Sequence, residues 1–264
     1  MTKLRKVKIG SFVMYLVSDT VDPALFLDKF LRTGNQADKG RGGLKLISIN
    51  EKLFVCRKYL HGGVGRAVTK DLFLSGKRAL YELEIMLYLK ENHFPVVEPV
   101  GILIGEDFPF RKPHIITKFE ENVGELLEFI KVSRRKKRLR AIRDLARYMF
   151  YLERLGVYHP DLHLRNVLVK DSGRLIFLDF DKATRKTLSR KNVEAIIWRL
   201  NRFVEKWEVK GYFRVSIMER LLFVRTYSRL SGYNLEEEMA KKLIGKKLLS
   251  RAGWFAESIL YGKK

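Results

Sequence analysis

Cysteine is almost absent from this chain of 264 residues, since Cys56 is the single one. One cysteine excludes an intramolecular disulfide and a metal site built from several cysteines. Long apolar runs are also missing: no stretch of about 18 apolar residues occurs, which excludes a transmembrane helix. The N-terminus lacks a continuous apolar segment and a small-residue cleavage site, so it does not read as a secretory signal. These absences predict a soluble, cytoplasmic protein.

Acidic residues are scarce relative to basic ones, with 30 Asp and Glu against 53 Lys and Arg, a formal net charge of +23. Such an excess favours a polyanionic partner: nucleic acid, an anionic lipid or a phosphorylated substrate. The alternative is a charged surface of the thermophile kind, although those surfaces usually balance the two signs. Charge alone does not choose among these partners.

The order of the predicted elements divides the chain into a strand-rich front and a helical back, with a boundary near Phe119–Gly124. In the front, alternating apolar residues predict strands, and these comprise a hairpin over Gly40–Tyr59 and short strands at Val96–Pro99, Gly101–Ile104 and His114–Phe119. One main helix is predicted there, over Ser75–Glu91. The back has one small hairpin, formed by Asn166–Lys170 and Arg174–Leu178, and helices over Arg134–Leu155, Arg190–Trp207, Val215–Leu230 and Leu235–Leu249. This is an α+β plan with two lobes.

The segment HPDLHLRN (His159–Asn166), followed by LDFD (Leu178–Asp181), carries the clearest chemistry. Phosphoryl transfer needs a positioned acceptor hydroxyl, metal ions on the phosphates and countercharge. An Asp in a loop can orient that hydroxyl and take its proton, and an Asn five residues later can hold one Mg²⁺. A second Asp, returned by a hairpin, can bind the metals on the phosphates. Asp161, Asn166 and Asp179 fit these roles in that order.

The front part offers partners for the phosphates. Gly40, Gly42 and Gly43 precede a strand, where their backbone N–H groups can approach phosphate oxygens. The strand Leu53–Tyr59 ends in two cations on opposite faces, and both Arg57 and Lys58 remain candidates for the phosphate contact.

Whichever cation reaches the phosphates is expected to pair with Glu82 of the following helix. Glu84, two residues further along the same helix, is the alternative partner for this cation.

These motifs resemble the protein-kinase-like superfamily, whose catalytic loop is H-R-D-x-x-x-x-N and whose metal motif is D-F-G. The resemblance implies the two-lobed kinase fold, with residues 1–119 as a nucleotide-binding lobe and residues 120–264 as a catalytic and acceptor-binding lobe. It also implies ATP and Mg²⁺, and an adenine-binding hinge over Thr117–Glu120 that includes Lys118 and Glu120.

The chain departs from protein kinases in three ways. Asp181 replaces the Gly of D-F-G, and no A-P-E segment follows it, which points to a compact acceptor. His163 stands where protein kinases have a lysine, and it either approaches the transferred phosphate or packs within the loop.

The chain is most similar to the lipopolysaccharide kinases, in particular those that phosphorylate 3-deoxy-D-manno-octulosonic acid (Kdo). The similarity spans about residues 38 to 205 and is carried by GRGG (Gly40–Gly43), FVCRKY with HGG behind it (His61–Gly63), RALYELEIM (Arg78–Met86), FPVVEPVG (Phe94–Gly101), HPDLHLRN and FLDFDKA (Phe177–Ala183). In that family the strand cation falls at Arg57, so the resemblance favours Arg57 over Lys58. His61, Gly62, Gly63 and Arg66 would belong to a loop near the site.

The resemblance implies ATP-dependent phosphorylation of a Kdo hydroxyl on Kdo–lipid A, by a peripheral protein at the cytoplasmic face of the inner membrane, with no obligate protein partner. An anionic leaflet would account for the positive charge. The run SRRKKRLR (Ser133–Arg140) is either the membrane contact or a solvated helix face. Trp198, Trp207 and Trp254 suit an interfacial surface or a core.

Three other functions remain open. A heptose kinase of the lipopolysaccharide core shares the catalytic motifs, and a small atypical protein kinase would also be compact and basic. A non-catalytic nucleic-acid-binding module would exploit the charge, but the intact Asp161, Asn166 and Asp179 argue against that module and against nucleic acid as the partner.

Overall fold

A computed structural model of the protein describes residues 4–17, 21–34, 43–60 and 72–237. Six strands form one antiparallel sheet: β1 (Arg5–Ile9), β2 (Phe12–Leu16), β3 (Leu44–Ile49), β4 (Lys52–Lys58), β5 (Pro99–Asp107) and β6 (Phe110–Lys118). Their spatial order is β1-β2-β5-β6-β4-β3. The register places the end of β4, with its two cations, beside His114 and Ile115 of β6, whereas the start of β4 lies beside the chain that leaves β6 for the second part.

Two helices cover the sheet, α1 (Pro23–Arg32) on one face and α2 (Lys77–Glu91) on the other. The side chains of β5 alternate between them: Leu103 packs in a core with Phe26 of α1, whereas Ile102 and Ile104 share the main core with Leu83 of α2. This alternation is the two-residue period of a strand that is buried on both faces. The sequence-based prediction of one main helix in this part missed α1, as it missed β1 and β2.

The second part is mostly helical, as predicted. Its helices are α3 (Leu126–Val132), α4 (Arg135–Arg154), α5 (Arg190–Val209) and α6 (Ile217–Ser231). Its short strands are β7 (Val123–Glu125), β8 (Val157–Tyr158), β9 (Val167–Lys170), β10 (Leu175–Phe177) and β11 (Thr184–Arg185). They form a three-stranded sheet, β10-β9-β7, and a pair, β11-β8. The mixed α+β architecture, strand-rich at the front and helical at the back, confirms the predicted fold class.

The end of α4 sets the start of the loop that carries HPDLHLRN. The buried face of α4 includes Ile142, Ala146, Met149 and Leu152. Gly156 then takes a φ of 64°, and a Cβ at this position would lie 3.2 Å from the backbone oxygen of Lys186, the residue that follows β11. Glycine is favoured here because the backbone is left-handed and the space is filled.

Several predicted features lie outside the described residues. These are Gly40 and Gly42, the loop residues His61, Gly62, Gly63 and Arg66, Trp254, and the helix predicted over Leu235–Leu249 beyond Glu237. Among the residues that the structure describes, no helix combines the length and the apolar character that crossing a bilayer requires.

Candidate active site

The loop between β8 and β9 brings the predicted catalytic residues together through its own backbone. The side-chain amide of Asn166 donates to the carbonyl of Asp161 at 3.1 Å, and the N–H of Asn166 donates to the carbonyl of His163 at 2.9 Å. The carbonyl of Asn166 in turn accepts from the N–H of Leu178 at 2.9 Å. Because Leu178 directly precedes Asp179, these bonds tie the segment that carries Asp179 to the loop that carries Asp161 and Asn166.

The carboxylate of Asp161 is held between two cations. Lys182 donates through Nζ to Oδ2 of Asp161, and Nη1 of Arg199 on α5 lies 3.1 Å from Oδ1. Burial acts to raise the pKa of Asp161, but the hydrogen bond and charge of Lys182, with the charge of Arg199, outweigh it and hold this pKa below its ordinary value. The carboxylate is therefore ionised at neutral pH, which is the state that a general base requires.

Glu82 is the centre of a buried polar cluster. Its carboxylate is 1% exposed and lies 2.8 Å and 3.0 Å from Nη2 of Arg57. It also accepts from the hydroxyl of Tyr59 and, at 3.1 Å, from the N–H of Phe180. The pKa of Glu82 is raised by burial, with Arg57 acting against that shift. The predicted ion pair is thus made by Glu82 rather than Glu84, and its cation is Arg57.

Lys58 ends the same strand, and Gly43, which directly precedes β3, lies opposite it. Lys58 lies on the face of β4 opposite Arg57, and its N–H donates to the carbonyl of Gly43 at 3.4 Å. Arg57 is the cation that reaches toward the metal motif, with Nη2 3.4 Å from Oδ1 of Asp179. The structure thereby separates two cations that the sequence left as alternatives, although which of them contacts phosphate stays a prediction.

A second ion pair joins α2 to the residue that replaces the glycine of D-F-G. Arg78 donates through Nε and Nη2 to both carboxylate oxygens of Asp181. The guanidinium also lies 5.7 Å from the ring centroid of Tyr59, which itself donates to Glu82. Arg78 and Glu82 are one helical turn apart, so adjacent turns of α2 hold adjacent residues of the DFD segment.

Asp179 has the carboxylate chemistry of a metal ligand and an unusual backbone conformation. Its φ of 58° lies in the left-handed region that non-glycine residues seldom adopt, and such strain concentrates at functional sites. Within the described residues, no group of three His, Cys, Asp or Glu side chains forms a metal site. Mg²⁺ does not need one, because it commonly binds through one or two protein ligands together with water and substrate phosphates. Asp179 and Asn166 fit that donor set.

His163 packs against α5. Its ring stacks on Phe203 with centroids 4.7 Å apart and an angle of 8° between the planes. Burial lowers its pKa, with the nearby Asp161 acting in the opposite direction. This geometry favours the packing alternative for His163 over contact with a transferred phosphate.

Lys118 and Glu120 lie where β6 leaves the sheet for the second part. The N–H of Lys118 donates to the carbonyl of Glu98 at 2.9 Å, and its side chain is exposed. Glu120 is paired with Lys170 of β9 at 2.9 Å. Both residues therefore stand in the connection between the two parts, and their predicted contact with a nucleotide stays a prediction.

His159, which opens the catalytic loop, is fully buried against Phe180, with ring centroids 4.8 Å apart. Burial lowers its pKa from an ordinary 6.5 to about 4. The unfolded chain therefore binds more protons than the folded protein between these values, so the free energy of unfolding falls as the pH drops from 6.5 toward 4.

We expect His159 to account for about 3 kcal/mol of the fall in the free energy of unfolding between pH 6.5 and 4. The measurement is urea unfolding of the wild type and of His159→Leu at several pH values from 8 to 4. The difference between the two removes the common contribution of the carboxylates, and it should shrink as the pH falls. A difference that is constant with pH would contradict the buried neutral histidine.

The structure adds four side chains to those named from sequence: Tyr59, Arg78, Lys182 and Arg199. Arg78 and Lys182 lie within the segments RALYELEIM and FLDFDKA, so their neighbourhood was visible without their partners. Arg199 gives no local signal, because its position on α5 relates to Asp161 only through the fold.

The model of the lipopolysaccharide kinase (Kdo/WaaP) family matches residues 34–219, more than half of the chain. The chain is 28% identical over 173 residues to a protein of Xanthomonas oryzae pv. oryzae named 3-deoxy-D-manno-octulosonic acid kinase, covering 63% of this chain and 68% of that protein. Proteins of the same name from Xanthomonas axonopodis pv. citri and Stenotrophomonas maltophilia are 29% and 25% identical, over 63% and 61% of this chain and 68% and 62% of their own lengths.

Proposed function

Since this chain belongs to the lipopolysaccharide kinase (Kdo/WaaP) family, we propose that it transfers the γ-phosphate of ATP to a hydroxyl of Kdo on a Kdo–lipid A acceptor. The observation that carries this proposal is the loop that joins Asp161, Asn166 and Asp179 by hydrogen bonds, with Asp161 ionised between two cations. The relatives named Kdo kinase support the choice of acceptor. The reaction would belong to the biosynthesis of the lipopolysaccharide inner core.

Asp161 is proposed to position and deprotonate the acceptor hydroxyl. As the acceptor oxygen bonds to the γ-phosphorus, Asp161 takes the proton, and the bond from phosphorus to the oxygen of the leaving ADP breaks. Bound Mg²⁺, held by Asn166 and Asp179, would neutralise the phosphate charge. The hydrogen bonds within the loop keep Asp161 at a fixed distance from both of these residues, which is the positioning that this chemistry requires.

Arg57 is proposed to bind the phosphates of ATP from the other side. It is about one third exposed, at 31%, while its partner Glu82 is buried. A buried carboxylate that binds one nitrogen of a guanidinium holds the side chain in one rotamer, so its remaining N–H groups point in a fixed direction. Gly43, next to the end of β4, remains a candidate for backbone contact with phosphate.

Lys182 and Arg199 are proposed to select an acidic acceptor. Both are partly exposed, at 58% and 47%, and both contact Asp161. Kdo carries a carboxylate, which can take over one of these cations when the sugar binds. That exchange would bring the acceptor to Asp161 and free one of its oxygens for the hydroxyl proton.

We expect Arg199→Gln to raise KM for the acceptor about 10- to 100-fold, the range for losing a hydrogen bond to a charged group, with KM for ATP unchanged. The matched control is Arg202→Gln, which removes the same charge from an exposed position three residues along α5. Steady-state kinetics with each substrate varied in turn gives both constants. Equal increases for ATP and acceptor would contradict the assignment of Arg199 to the acceptor.

The function itself is tested with purified protein and [γ-³²P]ATP, offered Kdo–lipid A, heptosylated lipopolysaccharide and a generic protein. Label on Kdo–lipid A that depends on Asp161 supports the proposal. Label only on the heptosylated acceptor would make the protein a heptose kinase, and label only on protein would make it a protein kinase. Transfer to none of them would contradict the proposed acceptor.

The proposed site of action is the cytoplasmic face of the inner membrane, where the protein would be peripheral. An acceptor anchored in the bilayer and a net charge of +23 support this location, because an anionic leaflet attracts basic surfaces.

A further inference from the structure

One end of the helical part gathers elements that are distant in the sequence. Arg138, in the first turn of α4, donates to the carbonyl of Arg214 at 2.7 Å and to Glu219 of α6 at 3.0 Å. Lys131 of α3 lies 3.9 Å from the ring centroid of Tyr212, which follows α5. The end of α3, the start of α4, the end of α5 and the start of α6 therefore form one continuous surface, called here the lobe-end surface.

The lobe-end surface exposes large aliphatic side chains. Val132, Val209, Ile217 and Met218 are 76%, 87%, 61% and 58% exposed. Single exposed hydrophobic residues are ordinary, but a group of them at one place indicates an interaction surface. These four come from three helices and their ends, so the local pattern of any one helix does not explain them.

Cations surround these aliphatic side chains. Nine exposed Lys and Arg side chains belong to the same elements: Lys131, Arg134, Arg135, Lys136, Lys137, Arg140, Lys206, Lys210 and Arg214. The run Ser133–Arg140, which the sequence left between a membrane contact and a solvated face, is thus one side of a larger basic surface. Aliphatic side chains among cations suit the interface of an anionic bilayer, where apolar groups enter the acyl boundary and cations meet headgroups.

Nucleic acid is the other polyanion that nine cations could bind. Surfaces that hold single strands expose aromatic rings on which bases stack. On the lobe-end surface the large exposed residues are aliphatic, whereas Tyr212 is half-buried, covered by Lys131 and bonded to Glu128. Aliphatic side chains gain from lipid and have no comparable partner in nucleic acid, so the observations favour a membrane.

The lobe-end surface is connected to the catalytic loop along α5. The ring of His163 stacks on Phe203, Phe203 lies 6.2 Å from Trp207, and Trp207 lies 5.0 Å from Tyr212, measured between ring centroids. From Arg199, which contacts Asp161, to the end of α5 at Val209 is about 15 Å at 1.5 Å per residue. A sugar that reacts beside Asp161 would therefore lie no more than about that far from a bilayer at the lobe-end surface.

We propose that the lobe-end surface docks this protein on anionic phospholipid bilayers, with Val132, Val209, Ile217 and Met218 entering the interface and the surrounding cations binding headgroups. The proposal rests on the proposed function, since a glycolipid acceptor is what brings the catalytic loop to a membrane. It specifies which face of the protein meets the bilayer and how the active site is oriented above it.

The test is co-sedimentation of the full chain with vesicles of phosphatidylethanolamine and phosphatidylglycerol, compared with phosphatidylcholine alone. A triple variant, Arg135→Gln, Lys136→Gln and Lys137→Gln, should bind the anionic vesicles on the order of a hundredfold more weakly and with a shallower salt dependence. The matched control removes the same charge from the sheet-containing part, as Lys29→Gln, Lys52→Gln and Lys77→Gln, and should bind nearly as the wild type does.

A second variant separates the apolar contribution. Ile217→Ser with Met218→Ser should weaken vesicle binding about tenfold or more without changing the salt dependence, since no charge is lost. Circular dichroism and Tm check that these exposed substitutions leave the fold intact. Equal losses in the two triple variants would overturn the proposal, as would an unaltered affinity of the serine variant. Tighter binding to transfer RNA than to anionic vesicles would also overturn it in favour of a nucleic-acid surface.

Failure of the docking surface and failure of the proposed function give different results. Vesicle binding is measured without ATP, so it does not depend on turnover. With detergent-dispersed acceptor, the triple variant at Arg135, Lys136 and Lys137 should keep the wild-type kcat. Vesicle binding without Kdo phosphorylation would refute only the proposed acceptor. The docking surface alone would be refuted if the triple variant and the serine variant phosphorylated the acceptor as the wild type does, both in detergent and in vesicles.

Discussion

Asp161→Asn is expected to lower kcat for acceptor phosphorylation by about 10²- to 10⁴-fold, the usual contribution of a positioned general base. Asparagine has nearly the same shape but takes no proton, and the main-chain carbonyl that accepts from Asn166 is retained. ATP affinity and Tm should therefore change little. Single-turnover transfer and equilibrium binding of ATP measure these two effects separately.

The control for Asp161 is Asp144→Asn, which removes an ion pair with the exposed Arg147 on α4. This variant should keep its turnover within about twofold of wild type. Near-normal turnover of Asp161→Asn would refute its assignment as the base. A large loss of ATP affinity in the same variant would instead indicate that Asp161 binds nucleotide.

The charge of Lys182 should influence the pH at which kcat/KM falls on the acid side. Because Lys182 and Arg199 hold the pKa of Asp161 below its ordinary value, the acid limb of the profile should also lie below that value. Removing the cation with Lys182→Met should move the acid limb to higher pH.

Arg57→Met is expected to destabilise the fold by about 3–5 kcal/mol, the usual effect of leaving a buried charge without its partner. Glu82 is 1% exposed, and Arg57 is the cation that contacts it. The neighbouring variant Lys58→Met changes the same charge on the opposite face of β4 and should cost much less. Urea unfolding of both variants measures the difference.

The sign of the pH effect distinguishes this mechanism from simple loss of packing. Burial already raises the pKa of Glu82, and Arg57 opposes that shift, so its removal should raise the pKa further. A carboxyl group with a raised pKa in the folded state binds a proton more tightly there than in the unfolded chain. The Arg57→Met protein should therefore lose stability as the pH rises from 5 to 8, relative to wild type. A pH-independent loss would indicate packing alone.

The sequence predicts the catalytic loop well because its contacts are local. Asp161 and Asn166 are five residues apart in one loop, and the hairpin that returns the chain to Asp179 is short, so spacing alone brings these residues close. Arg199 could not be found in this way. Its approach to Asp161 depends on how α5 packs on the loop, which is a property of the whole helical part.

The same distinction explains the errors in the front part of the molecule. The apolar spacing of α2 and of the hairpin around β4 is visible in the sequence, whereas α1 is only 10 residues long and was missed. The choice between Arg57 and Lys58 illustrates the remaining limit. Alternation places them on opposite faces, but only the position of α2 decides which face meets Glu82.

The attachment of α2 to the DFD segment has a consequence for how activity responds to heat. Adjacent turns of this helix hold Phe180 through Glu82 and Asp181 through Arg78. Glu82 also holds Arg57, the cation proposed to bind ATP. The proposed ATP contact and the DFD segment therefore depend on the same helix. Loosening the helix would release both at once. Thermal inactivation should then follow a single cooperative transition that coincides with the melting of helix and sheet, without a folded but inactive plateau below it.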